Sequence, residues 1–214
     1  MDIYVRDTMA STHARRTVLC KYVDAHKREK EAKMILFVGP PGSGKSVQGQ
    51  LLSARNGWRW VSAGQLLRDT KDPAAYEHMT KGEMVDNDLV NRLVGEAIGR
   101  AKDIVHLVLD GYPRELEQAK WLIEELPKHE RSIAAVIVLN VPNEEIARRL
   151  KIRGRLDDTD EVIAARTKLY NDETQPILDY YRSLGIPVRD VNGFGSVGQV
   201  HDHIQQVIDE SLQG

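Results

Sequence analysis

The run Gly39-Pro40-Pro41-Gly42-Ser43-Gly44-Lys45-Ser46 matches the pattern G-x-x-x-x-G-K-[ST] in full. An apolar stretch precedes it and a helical pattern follows, which is the context the pattern requires. Its glycines let successive backbone N–H groups turn inward around phosphate oxygens. The helix behind them adds its partial positive charge. Lys45 would neutralise β- and γ-phosphates, and the Ser46 hydroxyl would ligate Mg²⁺. The chemistry is therefore that of a triphosphate site, with the use made of the triphosphate left open. A second run, IVHLVLDGYPR over residues 104–114, carries an apolar stretch to Asp110 and then through a turn to Arg114. An acid at the end of a buried strand, placed beside the phosphate loop, holds Mg²⁺ through water.

These residues need a frame. Strands are predicted over 34–38, 58–61, 104–109, 134–141 and 186–191 from short apolar runs. Helices are predicted over 44–55, 63–69 with Ser62 as N-cap, 86–102 capped by Asp86, and 115–126 stopped by Pro127. Others follow over 143–153 closed by Gly154, 160–173, 176–184 opened by Pro176, and 197–211. Residues 72–84 read as mixed and polar. Alternating strands and crossover helices give a five-stranded parallel sheet covered on both faces, a three-layer α/β/α domain. The pattern does not give strand order.

Composition narrows the class. The 214 residues carry 30 Lys+Arg against 32 Asp+Glu, a net charge of −2, so a strongly basic nucleic-acid binder is not expected. No apolar run reaches the length of a membrane helix, and no secretory leader is read at the N-terminus. The single cysteine, Cys20, allows neither an internal disulfide nor a cysteine-based zinc cluster, which fits a reducing, cytoplasmic setting. Residues 1–33 hold a net +3 and weak order. They are expected to be a solvated N-terminal extension, flexible or partly helical and dispensable for activity. The catalytic unit is expected to begin at Met34 and run to residue 214.

With these motifs goes a longer ordered series: Ser62-Ala-Gly-Gln-Leu-Leu-Arg68, Lys81-Gly-Glu-Met-Val85, Asp110-Gly-Tyr-Pro-Arg114 with Gln118, Arg149-Leu-Lys-Ile-Arg153, and Arg155-Leu-Asp-Asp158 with Arg166. In this series the sequence resembles the adenylate kinase family of nucleoside monophosphate kinases over about residues 34–210. The resemblance implies reversible Mg²⁺-dependent transfer of the terminal phosphoryl group of ATP to AMP, giving two ADP. It implies an acceptor-binding helical insert over 62–92. Arg68 and Arg114 would grip the acceptor phosphate, Ala63, Glu83, Met84, Val85 and Gly111 would line the acceptor site, and Gln118 would bond the adenine edge. ATP would lie on Gly39, Gly42, Ser43, Gly44, Lys45, Ser46 and Val47. Arg149 would lie over its base, with Gly195 in the loop beneath. Arg153, Arg155 and Arg166 would surround the transferring group, and Asp110 would position Mg²⁺ through its waters. An acceptor phosphate is already anionic near neutral pH, so no general base is sought. Bringing two polyanions together is the difficulty, and arginine forks, Lys45 and Mg²⁺ meet it. Loss of one such arginine is expected to cost about 10²–10³ in rate, as for a preorganised donor.

The sequence also departs from its relatives. Long forms insert a lid between the arginines matching Arg153 and Arg155; here Gly154 alone separates them. The lid is expected to be a short loop over 153–156, with no structural zinc and a wetter site. Coverage would come from acceptor-side helices or an oligomer partner, the chain being a monomer or a homo-oligomer. Ala63 stands where adenylate kinases usually carry Thr, as in UMP/CMP kinases, whereas Gln118 favours adenine. Gln65 replaces a common acid, and Val47 a common Thr. Trp58, Trp60, Tyr180 and Tyr181 read as packing residues and His106 as a core histidine. His201 and His203 are two apart and form no i, i+4 metal pair. The rival readings are the same chemistry on UMP or CMP, and a regulatory protein holding ATP as a structural ligand. Two acceptor-phosphate arginines would be of no use to the latter.

Overall fold

A computed structural model describes residues 32–155 and 159–213 of the chain. Its first strand, β1 (Ala32–Val38), sends Met34, Leu36 and Val38 to one face and Ile35 and Phe37 to the other. All five side chains are buried, which is what a central parallel strand covered on both sides requires. β2 (Arg59–Ser62), β3 (His106–Asp110), β4 (Arg131–Asn140) and β5 (Val188–Asn192) join it in the order β2-β3-β1-β4-β5. Every neighbouring pair is parallel. The expected five-stranded sheet is therefore present.

One face is covered by α1 (Lys45–Asn56) and α8 (Val197–Gln213), whose Leu52, Val200, Ile204 and Ile208 meet Ile35, Phe37 and Val108. The other carries α2 (Ala63–Thr70), α4 (Asn87–Gly99), α5 (Leu116–Glu125) and α7 (Asp160–Ser183). These bury Leu67, Val94, Ile98, Leu122, Ile177 and Tyr181 against Met34, Leu36 and Leu109. Two further helices, α3 (Pro73–Lys81) and α6 (Asn143–Arg153), complete the set.

Several boundaries differ from expectation. β1 begins at Ala32 rather than Met34: Ala32 and Lys33 pair with Arg131 and Ser132, and Lys33 donates its N–H to His106 Nδ1 at 3.2 Å. The first described strand therefore starts two residues before the expected point, and residues 1–31 of the proposed extension lie outside the described residues. β4 begins at Arg131, whose buried guanidinium donates to the carbonyls of Ala101, Ile104 and Val105. An arginine that caps a loop from inside a strand carries no apolar signal. Residues 73–81, read as mixed, form a helix: Asp72 Oδ1 accepts from Ala74 and Ala75 N–H, and Gly82 ends it at φ 74°. Pro176 does not open a new helix but sits inside α7. Its missing N–H removes one ladder bond, and the helix continues because Ile177, Leu178 and Tyr181 are buried just beyond it.

Candidate active site

The carboxyl ends of β1 and β3 lie side by side, Phe37 in register with Asp110, so the glycine loop after β1 meets the acid ending β3. Ligands of open parallel sheets bind at this edge. Gly42 needs both its backbone and its bareness: φ is +82°, and a Cβ there would lie 2.9 Å from Leu150 Cγ of α6. Gly44, at φ 100°, hands the loop to the N-terminus of α1. Lys45 folds over this cradle, its Nζ donating to Gly39 O at 2.7 Å and Pro40 O at 2.9 Å. Burial pushes its pKa down to about 8; Asp110 opposes the shift, and Arg114 and Arg153 add to it.

The Ser46 hydroxyl donates to Asp110 Oδ2 at 2.6 Å, and the Asp110 carboxylate is almost wholly buried. One hydroxyl and one carboxylate, both hard oxygen donors beside a phosphate cradle, fit Mg²⁺, which keeps waters and takes phosphate oxygens for the remainder of its shell. Among the described residues no cluster of three or more acidic, His or Cys side chains could hold a metal alone.

The arginines approach from separate elements. Arg68 closes α2, Arg114 follows β3, Arg153 ends α6 and Arg166 sits on α7. A Cβ built on Gly64 would lie 3.5 Å from Arg68 Nη2 and 3.9 Å from Arg114 Nη2, so these two guanidinium groups meet above one glycine. Arg114 Nε donates to Gly111 O at 3.0 Å, and Arg166 Nη2 to Met79 O at 2.9 Å. Enclosure by the cleft walls lowers the Arg114 pKa; Arg166 and Arg68 lower it further, and Asp110 opposes them. Arg149 is clamped on three sides: Nη1 donates to Ser43 O at 3.1 Å, Nη2 to Gly193 O at 3.0 Å, and Nε to Glu145 Oε1 at 2.7 Å. Its neighbour Arg148 faces solvent and takes the other side of Glu145.

A single cleft of about 480 Å³ collects these groups. Its walls include Lys45, Ser46, Asp110 and Arg149, together with Ala63, Glu83, Met84, Val85, Gly111 and Gln118. Arg68, Arg114, Arg153, Arg155 and Arg166 line it as well, with Gly39, Gly42, Gly44 and Val47. Two expected residues are placed otherwise. Ser43 is buried behind the loop, offering its carbonyl to Arg149 and its hydroxyl to Lys45 at 3.4 Å. Gly195 does not line the cleft, and Gly193 is the glycine whose carbonyl holds Arg149. Of the expected lid, Arg153, Gly154 and Arg155 are described, and Leu156 lies outside the described residues. Tyr170 and Thr174 were not anticipated as lining residues. Their signal was the spacing of four from Arg166, which puts all three on one face of α7.

Most of the chain is similar to proteins of one known family. The family model described as adenylate kinase matches residues 37–186. A relative named adenylate kinase from Mycobacterium ulcerans is 37% identical over 180 residues, covering 81% of this chain and 98% of its own length. One from Mycolicibacterium paratuberculosis is 39% identical over 172 residues, 78% of this chain and 93% of its own. Another from Prochlorococcus marinus is 37% identical over 180 residues, covering 81% and 97%. A strand-to-glycine-loop triphosphate cradle, facing arginines brought from four elements and matched along most of the chain, places this protein in the adenylate kinase family.

Proposed function

We propose that the protein transfers the terminal phosphoryl group of ATP to AMP, reversibly and with Mg²⁺, giving two ADP. The observation that carries this is the meeting of Arg68 and Arg114 above Gly64, in the same cleft as Lys45. A protein that only held ATP would have no use for a second phosphate grip. ATP lies with its phosphates in the glycine cradle and on Lys45, and with its base against Arg149. AMP lies between Ala63, Val85 and Gln118, with its phosphate on Arg68 and Arg114. Arg153, Arg155 and Arg166 steady the equatorial oxygens in flight, where fixed cations are worth more than they would be in water. Ser46 and Asp110 would hold Mg²⁺, which would neutralise charge on the phosphate oxygens. The attacking oxygen belongs to an anionic phosphate, so no side chain is required to remove a proton.

The rival acceptors are UMP and CMP, favoured by Ala63; the amide of Gln118, able to make two directional bonds, favours adenine. A coupled assay with AMP, GMP, CMP and UMP decides between them. AMP is expected to turn over fastest, and weak AMP turnover beside strong CMP turnover would overturn the assignment. Among the described residues no helix is long and apolar enough to cross a membrane. The single cysteine, Cys20, supports a reducing, cytoplasmic setting.

A further inference from the structure

We propose that Asn87 and Glu115 are positioning residues that lock the amide of Gln118 in one orientation, and so make the acceptor site accept a 6-amino purine and reject a 6-oxo purine. This rests on the reading of Gln118 as the group that meets the acceptor base. Gln118 is only 1% exposed and forms part of the cleft wall. Its Oε1 accepts the Arg114 backbone N–H at 2.9 Å, and its Nε2 donates to Asn87 Oδ1 at 2.7 Å. Asn87 Nδ2 in turn donates to Glu115 Oε1.

The two ends of this chain are chemically unambiguous. A backbone N–H can only donate, and a carboxylate can only accept. Turning both amides round would set Gln118 Nε2 against the Arg114 N–H and Asn87 Oδ1 against the Glu115 carboxylate, two like-against-like contacts. Turning one alone would create such contacts at an end and in the middle. The relay therefore has a single satisfied polarity. A second bridge holds its frame. The buried Tyr112 hydroxyl reaches Asn91 Oδ1 at 2.5 Å and the Gln118 carbonyl at 3.2 Å, tying α4 to the first turn of α5.

Each polar atom of Gln118 keeps one valence, a lone pair on Oε1 and an N–H on Nε2. In that fixed order they complement adenine, whose 6-amino group donates and whose N1 accepts. A 6-oxo purine presents the reverse, an accepting O6 and a donating N1–H. A glutamine free to turn could satisfy either edge, whereas a locked one satisfies only the first. Selectivity then comes from the unpaired groups that the wrong base would leave in a buried site.

The test is kcat/KM for AMP and for IMP at saturating ATP, with the melting temperature of each variant as a folding control. Asn87→Ala removes the partner that fixes Nε2. The AMP-to-IMP preference is expected to fall about tenfold, the value of one well-placed hydrogen bond, with the change in KM for the monophosphates rather than for ATP. Asn87→Asp still accepts from Nε2, while the half-buried Glu115 can turn to solvent, and it is expected to keep most of the preference. A folded Asn87→Ala enzyme with the original preference, or equal losses in the Ala and Asp variants, would overturn the proposal. If Asn87→Ala does not fold, Glu115→Ala removes the accepting end from the edge of the site. Its preference is expected to fall, and an unchanged one overturns the proposal in the same way. Gln118→Ala separates the two readings. A preference unchanged in Gln118→Ala removes the base-reading role itself; one lost there but kept in Asn87→Ala removes only the lock.

Discussion

Lys45 shows how one residue couples binding to pH. Its ammonium is withdrawn from water and surrounded by Arg114 and Arg153, and its pKa falls from 10.5 to about 8. In the unfolded chain the proton stays on to 10.5, so between pH 8 and 10.5 the unfolded state binds more protons. The stability contribution of this group therefore rises with pH across that window. Nucleotide binding runs the opposite way. Phosphates need the charged ammonium and raise its pKa again, so ATP is expected to take up a proton when it binds above pH 8. Calorimetry at pH 8.5, in buffers of different ionisation heat, should show uptake of roughly 0.8 proton per ATP, the deprotonated share of a group with a pKa near 8. Lys45→Arg, which never deprotonates, should bind without uptake. Absence of uptake in the parent, or the same uptake in the variant, would contradict the account. Lys45, Ser46 and Asp110 were readable in the sequence from side-chain chemistry at a motif's spacing, and the arginines only through the resemblance to a family. The roles of Ser43 and Gly193 were not, because both act on Arg149 through a backbone carbonyl, which every residue possesses.

At the scale of elements, α6 is both a wall and a clamp. Its first turn supplies Glu145, and its next supplies Arg148 and Arg149, both bonded to that carboxylate. Hydrogen bonds from these two arginines, Arg148 first, hold the Glu145 pKa at about 2, below the ordinary 4.5. Its contribution is therefore full above the ordinary carboxylate range and is lost progressively as pH falls from about 4.5 to about 2. The pair with Arg149 is mostly withdrawn from solvent, and its value to the site lies in aiming Arg149 at the carbonyls of Ser43 and Gly193. Glu145→Gln is expected to raise KM for ATP about threefold to tenfold, the loss of part of one charged hydrogen bond, with KM for AMP unchanged. Equal changes in both constants would show that Glu145 does not aim Arg149. Most elements were legible from apolar runs and caps, and α6 was predicted with its observed bounds and its closing Gly154. Apart from α3, whose local cap at Asp72 was overlooked, those misjudged share a cause. Ala32 and Lys33 at the head of β1, Arg131 at the head of β4, and the far side of Pro176 in α7 are held by contacts remote in sequence, which override the local pattern.

For the whole molecule, strand order was the part the sequence left open, and it is what makes the site. With β1 between β3 and β4, loops distant along the chain open onto one edge, and α2, α6 and α7 bring Arg68, Arg153 and Arg166 to it. Closure of such a site excludes water from a group in flight. Here Arg153 and Arg155 are separated by Gly154 alone, at φ +58°, where a lidded relative inserts a domain. Ile152, just before Arg153, lines the cleft with 72% of its surface exposed. On the expectation of a wetter donor side, water competes with the acceptor for the terminal phosphoryl group whenever AMP is absent. Phosphate release from ATP alone, divided by the rate with saturating AMP, is expected to exceed that of a lidded adenylate kinase by about tenfold, the effect of one catalytic step losing ~1.4 kcal/mol of its discrimination. A non-transferable AMP mimic that fills the Arg68–Arg114 grip should suppress this release if the acceptor-side helices α3 and α4 supply the missing cover. Release that stays high with the mimic bound, but falls as protein concentration rises, would assign the cover to a second copy of the chain. Release no faster than in the lidded enzyme would show that the short arginine turn excludes water by itself.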